Sequence, residues 1–209
     1  LRFTRYADDC LIFVGSKAAA TRVMHSITRF IENKLGLKVN AEKSKITRPS
    51  KIKYLGFSYW KDNKANQWKA RVHEISFNRF KDKIKKLTTR KWSVSLEYRI
   101  KKINEVTRGW INYFKIASMK SKLKSFSEHL RTRLRIICWK MWKVPNKRQW
   151  ALMKMGIGKD LARLTAYCGD RYYFVATKTC LVRAITKERL TKTGLVDPYD
   201  YYISRSCVN

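Results

Sequence analysis

Acidic residues are scarce in this sequence. Its 209 residues include only 15 Asp and Glu against 48 Lys and Arg, which gives a formal net charge of +33. Solubility does not require so large an excess, and like charges repel one another in a compact fold, so the composition indicates a polyanionic partner. The excess is +10 in residues 1–75 (16 basic, 6 acidic), +18 in 76–148 (22 and 4) and +5 in 149–209 (10 and 5).

Long apolar runs are absent as well. The sequence has no run of about 18 apolar residues and no signal-peptide pattern. It therefore lacks the usual sequence features of transmembrane and secreted proteins. An anionic membrane surface could attract the positive charge, but there is no isolated basic amphipathic arm to lie on one. The sequence therefore favours nucleic acid as the partner and predicts no membrane association.

Cysteines and histidines at the spacing of a metal site are also missing. The five cysteines lie far apart with no C-x-x-C pair, and an odd number favours reduced thiols in a cytoplasmic setting, either the bacterial cytosol and nucleoid or an organelle. The three histidines are equally scattered, which argues against a zinc site. These residues are Cys10, Cys138, Cys168, Cys180, Cys207, His25, His73 and His129.

Hydrophobic residues make up 44% of the chain, enough to form a core. Residues 1–14 read as two short strands, and residues 18–35 have helical spacing. After Gly36 come short apolar segments at 37–40, 53–60 and 67–73, of which the last two form a predicted hairpin around Asp62, Asn63 and Asn66.

Three amphipathic helices follow in residues 76–148, with Ser93 or Ser95 capping the second, so a small helical bundle is predicted. The rest, 149–209, predicts a small mixed or helical appendage. The fold class is therefore α+β. The apolar stripes are Phe77, Phe80, Ile84 and Leu87; Leu96, Ile100, Ile103, Val106, Trp110 and Tyr113; Leu123, Phe126, Leu130, Leu134, Ile137 and Met141.

Two adjacent carboxylates, Asp8 and Asp9, stand at the centre of an apolar strand-turn-strand. By themselves they could be a solvated turn. At the tip of a hairpin they also suit Mg²⁺, which prefers carboxylate oxygens and shares its other positions with phosphates and water. Two such ions could activate a 3′ hydroxyl and stabilise departing pyrophosphate, so the predicted chemistry is nucleotidyl transfer with Asp8 and Asp9 as catalytic metal ligands.

The flanks of this pair favour the metal interpretation. Tyr6-Ala7-Asp8-Asp9 resembles the catalytic hairpin of reverse transcriptases. Downstream, the segment from Gly36 through Asn40 to Lys43 is similar to the next palm motif of group II intron enzymes. Tyr54-Leu55-Gly56-Phe57 then resembles their primer grip, in which a glycine permits a tight turn close to the primer end.

Residues 108–114 resemble the signature of the maturase thumb, also called domain X. From the residues, Trp110, Tyr113 and Phe114 are predicted to lie in the core rather than to stack on bases. Gly109 in a helix costs roughly 1 kcal/mol against Ala, which predicts a close packing contact or a close backbone approach there. Residues 183–202 resemble the end of compact group II intron proteins, implying a form without an appended endonuclease domain.

Basic residues line the helices beside the apolar stripes. A basic run can be merely a solvated face, but acidic partners are nearly absent here, so these residues are predicted to bind an RNA backbone through its shape. The predicted RNA-binding residues are Lys81, Lys85, Lys86, Arg90, Lys91, Arg99, Lys101, Lys102, Arg108, Lys120, Lys122, Lys124, Arg131, Arg133 and Arg135; Lys83 stands beside them.

Taken together, the resemblance implies a partial reverse-transcriptase palm (1–75), a three-helix thumb (76–148) and a basic C-terminal appendage (149–209). It implies a group II intron RNA-directed DNA polymerase and maturase that uses Mg²⁺, binds intron RNA and a template-primer duplex, and meets target DNA during retrohoming. A splicing cofactor without polymerase activity, or a retron or diversity-generating reverse transcriptase, are the alternatives.

The family's palm also has a third aspartate and a finger region upstream of the Tyr-Ala-Asp-Asp hairpin. An upstream finger and palm segment is therefore an expected partner, and residues 1–209 by themselves are expected to bind structured RNA without extending a primer.

Overall fold

The computed structural model describes residues 2–206, so Leu1 and Cys207 lie outside the described residues. The chain divides into two compact units, Leu1–His73 and Glu74–Asn209. The first contains antiparallel hairpins and one long helix, and the second is helical, which confirms the α+β class. Within residues 2–206 no helix combines the length and the apolar character needed to cross a bilayer.

Between residues 2 and 73, the first unit holds two separate two-stranded antiparallel sheets. Strand β1 (Arg2–Tyr6) pairs with β2 (Asp9–Phe13), and β3 (Phe57–Asp62) pairs with β4 (Gln67–Val72). Both predicted hairpins are thus confirmed. The second begins at Phe57 rather than at residue 53, because residues 54–57 form a turn of their own, and the apolar segment 37–40 contains no strand.

Helix α1 (Lys17–Leu35) follows the first hairpin. The hydroxyl of Ser16 accepts a hydrogen bond from the Ala19 amide and caps its start. Its apolar stripe is only partly covered, since Val23, Ile27 and Ile31 are half-buried and Phe30 is 56% exposed. A short 3₁₀ turn, Pro49–Lys51, precedes β3 and accepts a hydrogen bond from the Ser58 hydroxyl at the Ser50 carbonyl.

The second unit begins with three amphipathic helices, α2 (Glu74–Leu87), α3 (Leu96–Phe114) and α4 (Lys120–Met141). As predicted, the Ser95 hydroxyl caps α3 by accepting from the Tyr98 amide. Most of the predicted stripe residues are buried. The prediction is wrong for Met141 and Tyr113, which are 47% and 55% exposed, whereas the adjacent Phe114 is buried.

An aromatic cluster joins these three helices. Phe80 of α2 stacks on Trp110 of α3 with ring centroids 4.4 Å apart, and it contacts Phe126 of α4 at 4.9 Å. Phe77 lies against both Trp110 and Phe126. Full burial of such side chains contributes about 1.5 to 3 kcal/mol each, so this cluster is a main source of the unit's stability.

Within residues 142–206, six short helices complete the second unit. They are α5 (Pro145–Lys154), α6 (Lys159–Ala166), α7 (Tyr172–Thr177), α8 (Thr179–Ala184), α9 (Lys187–Lys192) and α10 (Pro198–Arg205). Helix α5 runs through the expected boundary between residues 148 and 149. Helices α7 and α10 pack on α4, and α10 also packs on α3, so the segment after α4 shares one compact unit with the helices before it.

Two buried aromatic side chains show how this packing is built. The ring of Tyr202 in α10 is fully buried, and its hydroxyl donates to the Ala117 carbonyl at 2.8 Å. Trp139 of α4 is also fully buried and donates from Nε1 to the Gly169 carbonyl at 3.0 Å. In Tyr202 and in Trp139 the polar atom taken into the core therefore keeps a hydrogen bond.

Candidate functional site

The two carboxylates lie at the turn between β1 and β2. Tyr6 pairs with Asp9, so Ala7 and Asp8 form a two-residue hairpin loop. Ala7 has φ 52°, the positive value that such loops require at their first position. Arg5 stabilises this conformation, because its Nε donates to the Ala7 carbonyl at 2.8 Å. Asp8 is thus at the tip and Asp9 begins β2, and both are exposed.

This geometry decides what the hairpin can contribute chemically. Adjacent exposed carboxylates can offer oxygens to a hard divalent cation, which takes such ligands together with water and phosphate. Among residues 2–206 no group of three or more His, Cys, Asp or Glu side chains comes together around a metal position. In the described part of the chain, Asp8 and Asp9 therefore have no third histidine, cysteine or carboxylate grouped with them.

The palm-like motif after α1 has local structural roles. Gly36 ends the helix with φ 63°, a left-handed conformation that favours glycine. Asn40 accepts the Lys43 amide at its Oδ1 over 3.1 Å, and its carbonyl accepts the Ser44 amide, which forms a turn. Lys43 is exposed on that turn.

The segment resembling a primer grip is a tight turn. Tyr54 and Phe57 exchange two backbone hydrogen bonds, of 3.0 and 2.8 Å. Both intervening residues have positive φ, 49° at Leu55 and 83° at Gly56, as in a type I′ turn. Glycine meets this need without strain, whereas Leu55 is held in a conformation that costs a bulky side chain energy.

Most of the predicted RNA-binding residues lie on the surface of the second unit. Lys102, Arg131 and Arg133 are half-buried. Ten are exposed, namely Lys81, Lys85, Lys86, Arg90, Lys91, Lys101, Arg108, Lys120, Lys122 and Lys124. The structure thus places a dense set of cationic groups where a phosphate backbone could reach them.

Two of the predicted RNA-binding residues, Arg99 and Arg135, are buried, so the prediction that they lie on the surface is wrong. Arg99 is 2% exposed, and its guanidinium donates to the carbonyls of Leu87, Thr89 and Trp92 at and just beyond the end of α2. Arg135 is buried, and its Nε donates to the Ile185 carbonyl. Burial lowers the pKa of both side chains. Both arginines satisfy buried carbonyls, which explains why they are absent from the surface.

Other basic residues are partly engaged within the fold. Arg131 forms an ion pair with Asp197, and Lys102 with Glu105. The Arg90 guanidinium lies 4.4 Å from the centroid of the Tyr172 ring. These contacts reduce the freedom of the side chains without removing their charge from the surface.

The thumb-like signature is only partly in the core. Trp110 is half-buried and stacked, and Phe114 is buried, but Tyr113 is exposed. The predicted close contact at Gly109 is wrong, since a Cβ built there meets no atom within 4 Å. Gly109 lies on the exposed side of α3, where no neighbouring element approaches.

Sequence reasoning missed two sets of residues. One is His129, dismissed as scattered, which lies beside Lys81 and Arg133. The spacing of Lys122, Phe126, His129 and Arg133 along α4 could have revealed their common face. The other is a set of exposed aromatic residues after α4. The sequence could not have revealed their exposure, because aromatic residues at helical spacing are equally typical of a buried helix face. These aromatics are Trp150, Tyr167, Tyr173 and Phe174.

Comparison with known families gives two matches. The family described as reverse transcriptase (RNA-dependent DNA polymerase) matches residues 1–59, which include the Asp8-Asp9 hairpin. The family described as group II intron, maturase-specific domain matches residues 77–156, which include α2, α3 and α4 almost completely. No curated protein matches the chain.

Proposed function

Since this chain belongs to the intron-encoded reverse transcriptases and maturases, we propose that it provides the catalytic hairpin and the maturase helices of a group II intron RNA-directed DNA polymerase. In this proposal the protein binds intron RNA, assists its splicing, and copies RNA into DNA at a DNA target during retrohoming. The observation that carries it is the order of the two matches on one chain, polymerase first and maturase-specific domain second.

The proposed organisation follows the charge distribution. Residues 1–75 act as part of a palm, 76–148 as the thumb and 149–209 as a basic C-terminal region. The strongest positive excess, +18, lies in the proposed thumb. Because phosphate contacts position a protein without reading sequence, this region would hold RNA or a template-primer duplex mainly by shape.

Reverse transcriptases as a family use divalent metal ions. We propose that Asp8 and Asp9 are the catalytic residues that bind them, with Mg²⁺ as the ion. When bound, such ions lower the barrier to nucleotidyl transfer by stabilising the attacking and the leaving oxygen. The chain's own contribution is geometric: the loop of Ala7 and Asp8, stabilised by Arg5, leaves both carboxylates exposed at the end of the hairpin.

The proposed primer grip rests on the turn at residues 54–57. Two consecutive positive φ values bring the chain back on itself within two residues, which leaves the turn backbone narrow enough to approach a nucleic-acid strand. Leu55 remains partly exposed at its tip.

The test is a double substitution, Asp8→Asn with Asp9→Asn, in the complete enzyme. Primer extension should be lost and RNA affinity kept, because the change removes metal ligands and leaves the cationic helices untouched. Asp82→Asn, an exposed carboxylate on α2, is the matched control and should extend normally.

Three other outcomes would contradict the proposed function. Extension that survives the double substitution would show that the hairpin is not catalytic. If the wild-type enzyme promotes splicing but never extends a primer, it is an RNA-binding splicing cofactor. If it extends a primer but never promotes splicing of a group II intron, it belongs with the retron or diversity-generating enzymes.

A further inference from the structure

Helices α2 and α4 share a row of cationic groups, here named the cationic seam. It consists of Lys81 from α2 and of Lys122, His129 and Arg133 from α4. On α4 these residues and Phe126 recur at intervals of four, three and four residues, so they share one helical face. Phe126 contacts Phe77 and Phe80 of α2, which shows that this face is turned towards α2.

Contacts at both ends define the seam. At one end the ammonium groups of Lys81 and Lys122 lie 4.9 and 5.7 Å from the centroid of the same Phe77 ring. At the other end the Arg133 guanidinium donates to the Thr88 hydroxyl and to the carbonyls of Lys85 and Thr88. From Phe77 to Thr88, eleven residues of helix span about 16 Å.

Within residues 2–206, no ion pair involves any residue of the seam. Asp82 and Glu128 each lie one position from a seam residue, which places them about 100° away around their helices. Lys81, Lys122 and Arg133 therefore lie along the seam without an acidic partner in this range, and the charges of Lys81 and Arg133 act on His129. Such repulsion costs stability unless an anion neutralises it.

His129 responds to this environment. Partial burial of the imidazole, and then the charges of Arg133 and Lys81, hold its pKa below the ordinary value, so the free protein carries a neutral ring there. The groups facing it are Arg133 from its own helix and Lys81 from α2. Of the helices packed on the other faces of α4, α10 offers Asp197, whose carboxylate is bound to Arg131.

We propose that the cationic seam binds successive phosphates of one RNA strand, and that His129 takes up a proton as the phosphates arrive. The inference rests on the proposed function and adds a defined site and its regulation by pH. A phosphate beside the imidazole favours its charged form, because an opposite charge at short range stabilises the ion. RNA affinity then rises as pH falls.

The chain contains only three histidines, so each can be substituted in turn to find which one causes a pH dependence of RNA binding. Binding of a fluorescein-labelled RNA hairpin is measured by anisotropy from about pH 8 to about pH 5.5 at constant salt. The wild-type protein should bind about three- to tenfold more tightly at the acidic end, because neighbouring phosphates favour the protonated imidazole. His129→Gln should show little of this dependence, whereas His25→Gln and His73→Gln should keep it.

Calorimetry provides the second measurement. Titration of the same RNA in two buffers of different ionisation heat should detect proton uptake by the wild type and none by His129→Gln. Lys81→Gln, an exposed substitution that leaves the aromatic core intact, should weaken binding and flatten its salt dependence.

RNA binding with the same pH dependence in the wild type and in His129→Gln would overturn this inference and leave the proposed function standing. The absence of RNA binding at every pH would reject both.

Discussion

The guanidinium of Arg131 donates from Nη1 to Oδ2 of Asp197 over 2.7 Å and thereby joins the middle of α4 to the start of α10. The two side chains are only 17% and 4% exposed. The other oxygen of Asp197 accepts the amides of Tyr199 and Asp200, so one carboxylate both caps a helix and neutralises an arginine. This contact holds α10 on α4.

Asp197→Ala should therefore destabilise the second unit by about 3 to 5 kcal/mol, because it leaves a largely buried guanidinium unpaired and removes a helix cap. Chemical denaturation measures the change. Asp200→Ala is the matched control: it removes an exposed ion pair with Lys187 and should cost less than about 1 kcal/mol. Equal effects of the two substitutions would show that burial adds nothing to the Arg131 pair.

Arg99 and Lys101 are close in sequence and should behave in opposite ways. Arg99→Met should cost about 3 kcal/mol of stability, because three carbonyls lose a buried donor. Lys101→Gln should change stability by less than about 0.5 kcal/mol. It should instead reduce the log-log salt slope of RNA binding by about one unit, the share of one phosphate contact.

Denaturation and salt titration of both variants provide the measurements. A stable Arg99→Met protein with a reduced salt slope would mean that this guanidinium reaches the RNA after all.

Two glycines form a second pair. Gly56→Ala should destabilise the first unit by about 1 to 2 kcal/mol, since the φ of 83° at this position is unfavourable for any residue with a Cβ. Gly109→Ala should stabilise α3 by up to about 1 kcal/mol, since it lies in a helix with open space around the new methyl group. Hydrogen exchange resolves the two units. A loss of stability in Gly109→Ala would contradict the open space that the structure shows around this position.

His129 should also make stability depend on pH in the absence of RNA. Its pKa in the folded protein is lowered, so the unfolded chain binds the proton first as pH falls below about 6.5. The stabilising contribution of His129 is therefore present above that pH and is lost as pH falls through the folded-state pKa. Melting temperatures at about pH 7.5 and about pH 5 should differ more in the wild type than in His129→Gln. His25→Gln is the control, and an unchanged difference in His129→Gln would contradict the assignment.

Local patterns in the sequence predicted the secondary structure well. The 3.6-residue period identified α2, α3 and α4, and a hydroxyl placed just before an apolar stripe predicted Ser93 or Ser95 as the cap of α3, of which Ser95 is the one that caps it. These features depend on interactions within a few residues of one another, which a sequence displays directly. The family matches confirm the resemblance carried by the hairpin and the maturase-like signature.

Individual side chains were harder to place. Arg99 and Lys101 stand on the same helix amid the same kind of residues, and only the approach of the C-terminal end of α2 makes one of them buried. Gly109 looked like a packing glycine, but no neighbouring element comes near it. Helical spacing assigns a residue to a face, whereas its burial depends on which distant segment covers that face.

By itself, the sequence determined the charge, the helical stripes and the carboxylate pair at a hairpin, because each is a property of residues near one another in the chain. Only the tertiary structure decided which cations remain on the surface, where Asp197 finds Arg131, and that His129 faces Lys81. Those relationships join residues up to 66 positions apart. They arise from the packing of whole helices, and the arrangement of those helices cannot be predicted from residues that are close in the sequence.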